Sequence, residues 1–260
     1  MADATVHLRI RRQDGPGQPG YWHEFKVPYT PGMNLITCLE EIRKTPLTTA
    51  GQKVAPVVWD CSCLEEVCGA CSMRVNGRPR QSCSALVEQF SQPITLQPMD
   101  KFPIVRDLIV DRQRMFDALR RVKAWVPVDG TYDLGPGPRQ SAKDQLWMYV
   151  LSRCMTCGCC LDACPQVNPR SSFIGAAIIS QVRLFNAHPT GRMHREERLA
   201  ALLGPGGVTD CGNAQNCAEV CPKEIPLTQS ISEMGKQTLS FAVGRFFAKP
   251  DVEIGGAPAG

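Results

Sequence analysis

The 14 cysteines of this 260-residue chain lie in clusters, and this clustering limits what the chain can fold into. Cysteines at C-x-x-C spacing in a long chain typically bind metal, whereas disulfides stabilise short secreted domains. Residues 1–8 lack the basic start and the apolar stretch of a secretory signal, and we therefore expect a cytosolic protein. The pattern predicts metal centres around which the chain has to fold.

The rest of the composition is that of an ordinary globular chain. Hydrophobic residues make up 43% of it, and the formal net charge is only +4, which gives no reason to expect nucleic acid as a partner. No apolar run reaches the roughly 18 to 20 residues needed to cross a bilayer. If a membrane is involved, another subunit has to provide the membrane-spanning part.

The first cysteine group has the spacing of plant-type ferredoxins, C-x4-C-x2-C followed by a distant fourth cysteine. Its members are Cys63, Cys68, Cys71 and Cys83. Gly69 and Ala70 are small, so backbone N–H groups of this loop can point at the sulfur atoms of a net-negative 2Fe-2S cluster. Zinc is the alternative, but its ligands usually come as two separated C-x-x-C pairs, and the asymmetric spacing favours iron and sulfide.

The second and third groups resemble each other. The second is a bacterial ferredoxin run, C-x2-C-x2-C-x3-C-P, formed by Cys154, Cys157, Cys160 and Cys164. The third, Cys211 to Pro222, keeps the same register but has Ala214 in place of its second cysteine. In two-cluster ferredoxins the fourth cysteine of each run binds the other cluster, so the two runs are expected to exchange ligands.

This exchange predicts two clusters with unequal ligand sets. The four-thiolate set, expected to hold a 4Fe-4S cluster, is Cys154, Cys157, Cys160 and Cys221. The three-thiolate set, expected to hold a 3Fe-4S cluster, is Cys164, Cys211 and Cys217. An iron facing the methyl group of Ala214 has no protein ligand; the alternative is a loosely held 4Fe-4S cluster with water on that iron.

The remaining cysteines and the histidines are not expected to bind metal. Cys38 lies on the apolar face of a predicted helix. Cys61 lies two residues before the first ligand and Cys159 is next to Cys160, so either could replace a ligand in a shifted register, but we interpret all three as non-ligands. The four histidines show no paired spacing with cysteine, and the chain contains no catalytic triad motif or phosphate-binding loop. A chain with this many expected redox-metal ligands and no motif for binding or converting a substrate is expected to carry electrons.

The secondary-structure pattern divides the chain into a mostly β half and an α-helical half. Strands are predicted at Val6 to Ile10, Tyr21 to Val27, Ser72 to Ser82 (a hairpin) and Ile94 to Leu96. Asn34 can cap a helix from Leu35 to Ile42, and Asn76-Gly77 suits the turn of the second hairpin. Further helices are predicted at Ile104 to Val122, Ser141 to Arg153, Phe173 to Asn186, Arg195 to Leu203 and Thr228 to Phe247.

A change of composition between Gln92 and Pro103 marks the expected domain boundary. We predict an α+β protein with two domains, residues 1–102 and residues 103–260. The Pro/Gly-rich segment from Pro127 to Pro138 is expected to end one helix, and Ser141 with Asp144 resembles the capping box that starts the next.

Together these motifs resemble the iron–sulfur subunits of succinate dehydrogenase and fumarate reductase, over nearly the whole chain. The resemblance is carried by the residues at 63–72, 76–83, 154–160, 183–191 (Arg-Leu-Phe-Asn-Ala-His-Pro-Thr-Gly) and 210–217. It implies an N-terminal plant-type 2Fe-2S ferredoxin domain with the β-grasp fold and a C-terminal, all-α bacterial-ferredoxin-like domain. The motifs look most similar to those of menaquinone-linked bacterial complexes.

The resemblance also implies partners and a location. A flavoprotein subunit with covalent FAD would oxidise succinate, and a membrane anchor, often haem-bearing, would hold quinone. Electrons would pass from FAD through the 2Fe-2S, 4Fe-4S and 3Fe-4S clusters to the quinone. The subunit would lie peripherally on the cytoplasmic face of the bacterial cell membrane.

The quinone site departs from the ubiquinone-linked pattern. Those relatives have a Trp shortly after the Cys-Pro of the second group and a His after the first cysteine of the third. This chain has Asn168-Pro169 and Gly212 there. Pro165 matches and is the one quinone-site residue that the resemblance suggests, and menaquinone is therefore favoured over ubiquinone.

Three alternatives stay open at this stage. The same subunit could serve a quinol:fumarate reductase, or the chain could be a ferredoxin-like carrier or a subunit of another oxidoreductase of the heterodisulfide reductase type. A zinc-stapled interaction module would be colourless. For the segment from Ile231 to Phe247, contact with the anchor and ordinary helix packing are equally compatible with the pattern.

Overall fold

The computed structural model describes residues 4–127 and 137–247. The first half is built on a five-stranded sheet with the strand order β2-β1-β5-β3-β4. Its strands are β1 (Thr5–Arg12), β2 (Tyr21–Pro28), β3 (Ser72–Val75), β4 (Arg78–Gln81) and β5 (Ile94–Gln97). β1 runs parallel to β5, and the other neighbouring pairs are antiparallel.

One helix covers this sheet. α1 (Leu35–Lys44) begins after Asn34, whose side chain accepts a hydrogen bond of 2.9 Å from the Thr37 amide. Its apolar face is buried in the same core as the inward-facing side chains of β1, which alternate along the strand at period two. The four predicted strand segments and this helix are confirmed.

The prediction of a helix from Ile104 to Val122 is wrong for its first part. Ile104–Arg106 (β6) and Ile109–Val110 (β7) form a small hairpin, and α2 is limited to Gln113–Arg121. Asp107 turns the hairpin with a φ of 45°. Tertiary contacts of Asp107, described below, override the helical period of the apolar residues.

The second half is helical. Its helices are α3 (Ala142–Ser152), α4 (Cys159–Asp162), α5 (Ala176–Ala187), α6 (Arg195–Leu203), α7 (Asn216–Glu219) and α8 (Leu227–Phe247). The predicted cap of α3 is confirmed, because Ser141 Oγ accepts a bond of 3.0 Å from the Asp144 amide. Most of the Pro/Gly-rich segment 127–138 lies outside the described residues. Among the described residues, none of the helices combines the length and apolarity that a bilayer crossing requires.

α5 begins three residues later than predicted. Phe173 and Ile174 are buried side chains of the preceding loop, and Gly175 adopts a φ of 94°, which is outside the helical region. A Cβ atom at Gly175 would lie 2.8 Å from two side-chain carbons of Leu161, so α4 and the start of α5 can approach closely only because this residue is glycine.

The chain crosses between the two cores near residue 100. Met99 and Phe102 belong to the core of the helical half, whereas Leu108, further along the chain, returns to the core of the sheet. The β6–β7 hairpin thus holds the two halves together.

A buried ion pair fixes that hairpin. Arg12 and Asp107 are 1% and 0% exposed, and Arg12 Nε and Nη2 donate to the two carboxylate oxygens at 2.8 and 3.0 Å. The amides of Gln13 and Val58 also donate to this carboxylate, and the guanidinium donates to the carbonyls of residues 55 and 56. Both charged groups are fully hydrogen-bonded, which is the condition under which a buried pair is tolerated.

Asp107→Ala is therefore expected to destabilise the chain by about 3–5 kcal/mol, because it leaves the Arg12 charge buried and uncompensated. The shift of the guanidinium denaturation midpoint of the cluster-loaded chain measures this loss. The matched control is Asp117→Ala, whose partner Arg120 is 80% exposed, with an expected loss below about 1 kcal/mol. Equal shifts for the two variants would contradict the prediction.

Candidate metal centres

The loop that carries the first cysteine group directs backbone N–H groups at its own sulfur atoms. The amides of Glu65 and Val67 each donate to Cys63 Sγ at 3.4 Å, and the amide of Ala70 donates to Cys68 Sγ at 3.4 Å. The hydrogen bonds from the loop amides lower the pKa of Cys63 to about 7. A thiol that ionises this easily is suited to bind iron.

The other two thiols of this group lie in the core of the sheet. β3 and β4 turn at Asn76-Gly77 and bring the chain back, so that the Ser82 amide donates to the Cys71 carbonyl at 3.2 Å and Cys83 follows. Cys71 is 3% exposed and Cys83 6%. Burial raises the pKa of Cys71 to about 12, so a thiolate here requires a bound cation, which iron would provide.

The second and third groups fold into two loops with the same backbone conformation. Thr156 and Gly158 have φ angles of 55° and 88°, and Asn213 and Gln215, at the matching positions, have 52° and 63°. Each loop then continues into a four-residue helix, α4 or α7. The similarity predicted from the sequence is therefore also a similarity of structure, and it places Ala214 where the first loop has Cys157.

A small cavity lies beside the first of these loops. Its lining includes four cysteines, three from the second group and one from the third: Cys154, Cys157, Cys160 and Cys221. The rest of the wall is largely apolar and includes Met115, Ala177, Ile225 and Leu227. Complete burial raises the pKa of Cys160 well above its usual value, so this thiolate too requires a positively charged partner.

A second small cavity lies beside the second loop. Its lining includes three cysteines: Cys164, Cys211 and Cys217. Ala214 lines the same cavity and presents a methyl group where a fourth thiol would stand. Asn216 Nδ2 donates to the Ala163 carbonyl at 3.0 Å and so ties α7 to the end of α4.

The two cavities divide the cysteines in the crossed manner predicted from the sequence. Cys164 lies with the third group and Cys221 with the second. This crossed division of thiols is the ligand pattern of two-cluster ferredoxins, which bind clusters of iron and sulfide.

The first cysteine loop contacts the second one directly. Gly69 has a φ of 75°, and a Cβ atom there would lie 2.9 Å from both Cys157 Cα and the Met155 carbonyl oxygen. The Arg112 guanidinium donates to the Gly69 carbonyl at 2.7 Å and to the Cys157 carbonyl at 3.4 Å. Glycine at position 69 therefore serves the approach of the two loops, in addition to the space near the sulfur atoms that the sequence suggested.

A buried amide also connects these two loops. Gln81 is 0% exposed; its Oε1 accepts from the Cys71 thiol at 3.4 Å, and its Nε2 donates to Ser72 Oγ at 2.7 Å and to Cys159 Sγ at 3.7 Å. Sequence reasoning missed Gln81 and Arg112. Nothing in their sequence positions signals these contacts, because their partners lie 78 and 45 residues away along the chain.

Three cysteines were predicted not to bind metal: Cys38, Cys61 and Cys159. None of them is among the residues that line the two thiol cavities. Cys38 is buried in the core of the sheet, and burial raises its pKa to about 12. Cys61 is half-buried against the same core, and Cys159 is completely buried beside Gln81. Pro165, suggested for the quinone site, lines the cavity of Cys164, Cys211 and Cys217 together with Gly212.

Two protein-family models match the chain. Residues 7–117 match a model described as a 2Fe-2S iron–sulfur cluster binding domain, and residues 150–225 match one described as a 4Fe-4S dicluster domain. These matches agree with the two types of cysteine spacing and with the predicted α+β class.

Similar proteins of known identity point to one family. The chain is 58% identical to the succinate dehydrogenase iron–sulfur subunit of Bacillus subtilis, over 95% of this chain and 98% of that protein. It is 30% identical to the fumarate reductase iron–sulfur subunit of Wolinella succinogenes, over 85% of this chain and 90% of the other.

A solved structure shares the fold. A chain of the Mycobacterium smegmatis Sdh1 complex in the apo form superposes with a TM-score of 0.77 at 24% identity, covering 96% of this chain and 100% of that one. The sequence similarity, the two matched domains and this fold lead to one conclusion. The chain belongs to the family of iron–sulfur, electron-transfer subunits of succinate dehydrogenase and fumarate reductase.

Proposed function

We propose that this chain carries electrons from the FAD of a flavoprotein subunit to menaquinone in a succinate:quinone oxidoreductase. The observation that carries the proposal is the pair of cavities, each lined by one of the two crossed thiol sets. Iron–sulfur clusters accept and release single electrons, which suits a link between a two-electron flavin reaction and a quinone.

Eleven cysteines are proposed as ligands in three sets. The 2Fe-2S set is Cys63, Cys68, Cys71 and Cys83; the 4Fe-4S set is Cys154, Cys157, Cys160 and Cys221; the 3Fe-4S set is Cys164, Cys211 and Cys217. The backbone amides around Cys63 stabilise the charge of its thiolate. The apolar wall of the cavity that holds the 4Fe-4S set limits access of water. The family-model matches agree with the first two cluster types.

Succinate oxidation is favoured over fumarate reduction as the physiological direction. Identity is 58% to a succinate dehydrogenase subunit and about 30% to the fumarate reductase subunits. The direction itself depends on cluster potentials and on the quinone, which ligand identity does not determine. Succinate:menaquinone and menaquinol:fumarate rates of the whole complex would separate the two directions.

A peripheral position on the cytoplasmic face of the membrane is part of the proposal, with an anchor subunit, often haem-bearing in this family, on the membrane side. Four large apolar side chains of the C-terminal half of α8 are exposed: Leu239 (66%), Val243 (48%), Phe246 (83%) and Phe247 (77%). Packing within the described part of this chain therefore does not cover them, which supports contact with the anchor. We also propose the domain boundary near residue 102.

Ala214→Cys is expected to convert the three-iron cluster into a four-iron cluster, because a thiol would then face the open iron site. The oxidised-state EPR signal of the three-iron cluster should disappear from the purified complex, and iron content should rise by one atom per chain. Ala218→Cys, one residue after Cys217 and outside the cavity lining, is the matched control and should leave the signal intact. A three-iron signal that persists in the Ala214 variant contradicts the assignment.

The crossing of ligands can be tested by removing single cysteines. Cys221→Ser should impair the 4Fe-4S cluster and spare the 3Fe-4S cluster, and Cys164→Ser should do the reverse. EPR of the reduced and oxidised complex distinguishes the two. If all four cysteines of a run bound the same cluster, the two variants would give the opposite pattern. The control is Cys61→Ser, which replaces a half-buried cysteine outside the proposed ligand sets and should change neither cluster.

Gly69→Ala is expected to slow quinone reduction by the complex, because the added Cβ atom forces the first cysteine loop away from Cys157 and Met155. Gly77→Ala is the matched control: Gly77 has a similar φ of 81°, but a Cβ atom there meets nothing within 4 Å. Stopped-flow reduction by succinate, monitored separately at the 2Fe-2S cluster and at the quinone, locates the delay. Equal rates for both variants would show that the contact has no role in electron transfer.

A further inference from the structure

A basic groove lies in the helical half, away from the thiol cavities. It has a volume of about 500 Å³ and is lined by residues of α3, α5, α8 and the segment around the start of α6. Its polar lining residues are Arg183, Asn186, Arg192, Arg195, Glu233 and Gln237. Arg183 and Asn186 belong to the 183–191 motif, whose role the electron-transfer function leaves unexplained.

The arginines of this groove are not neutralised within the described part of the chain. None of the three forms an ion pair with a described residue. Arg183 lies 4.8 Å from the centre of the Trp147 ring and donates to Ser230 Oγ at 3.3 Å, which holds the guanidinium in place. Glu233 is the one acidic side chain among the lining residues, so positive charge dominates the groove.

A fourth arginine, Arg198, adds positive charge next to the groove, since it contacts the groove residue Asn186. Arg198 is 0% exposed and donates to the Asn186 side chain and to the carbonyls of Lys123, Trp125 and Gly191, all at 2.6 to 3.1 Å. All these acceptors are neutral, and no carboxylate of the described residues pairs with Arg198. Burial lowers the pKa of Arg198, and the nearby Glu197 carboxylate opposes this shift without forming a hydrogen bond to the guanidinium. A buried charge without a hydrogen-bonded counter-charge is costly, and an anion close by would reduce that cost further.

Two buried amide atoms at the groove lack partners as well. Asn186 is 6% exposed; its Oδ1 accepts from Arg198, but its Nδ2 has no hydrogen-bond partner. Gln237 donates from Nε2 to Glu233 at 3.2 Å, while its Oε1 is buried and unpartnered. Buried polar atoms are normally satisfied, so these two favour a ligand with both an acceptor oxygen and a hydroxyl group.

We propose that this groove binds a phosphate group, with Arg183, Arg192 and Arg195 around its oxygen atoms. Arginine is well suited to phosphate because its planar guanidinium can donate two parallel hydrogen bonds to two oxygen atoms. The phosphate is that of an anionic phospholipid headgroup or of a free phosphate compound. The exposed apolar side chains of α8 lie further along the same helix, which is compatible with a lipid source. This site is independent of the proposed electron-transfer function.

The test uses the detergent-solubilised complex with Arg192→Gln or Arg195→Gln. Both arginines are exposed, so the variants should fold, and unchanged cluster EPR and succinate oxidation verify this. Arg106→Gln is the matched control, an exposed arginine of the β6–β7 hairpin outside the groove lining and without an ion pair among the described residues. Equilibrium dialysis against radiolabelled inorganic phosphate measures affinity, and mass spectrometry counts the anionic phospholipids that copurify.

We expect each groove variant to weaken phosphate binding by about tenfold or more, or to lose one copurifying anionic phospholipid per chain, relative to wild type and Arg106→Gln. Weaker dialysis binding with unchanged lipid identifies a free phosphate compound, and loss of lipid identifies a headgroup. Phosphate binding and lipid content that match the wild type in both groove variants would overturn the proposal, and so would an equal effect of Arg106→Gln.

Discussion

The division of each cysteine run between two cavities is the constraint on which the helical half depends. Cys164 follows α4 and lines the cavity of the third group, whereas Cys221 follows α7 and lines the cavity of the second. Neither cavity can be completed unless the two short helices lie side by side. The longer helices serve this arrangement, because α5 and α8 pack against each other and supply apolar side chains to the walls of both cavities.

The junction of the two halves follows from the need to bring two loops together. A loop of thiols in the sheet half and a loop of thiols in the helical half meet at Gly69, where any side chain would collide with the backbone of Cys157. Arg112 and Gln81 add hydrogen bonds across the same contact. The Arg12–Asp107 pair holds the hairpin that joins the halves, at a distance along the chain from every cysteine ligand. The contact between the two thiol loops and the position of the hairpin thus depend on different residues of one junction.

Much of the fold and most of the proposed site could be predicted from the sequence, because both depend on local spacing. The spacing of cysteines within a loop can be read directly from the sequence. The crossed ligand sets follow because the second and third groups have similar spacing and share one backbone conformation. The hairpin at Asp107 could not be predicted, since its apolar residues keep a helical period and the buried Arg12 lies 95 residues away. Gln81 and Arg112 were missed for the same reason: their roles are set by partners far away along the chain.

Negative and positive charge are concentrated in different parts of the chain: the thiolates at the proposed cluster sites and the arginines of the groove. Thiols that would carry negative charge receive hydrogen bonds from backbone amides, both in the first cysteine loop, at Cys63, and in the cavity of the second group, at Cys221. Arg183, Arg192 and Arg195 instead line a groove beside α5, α8 and the start of α6. Arg198 contacts the groove residue Asn186, and its hydrogen bonds all go to neutral oxygens. Among the described residues, Glu233 is the one acidic side chain in the lining of this groove. Its single charge does not offset those of Arg183, Arg192 and Arg195, so the groove keeps a net positive charge that can attract an anion.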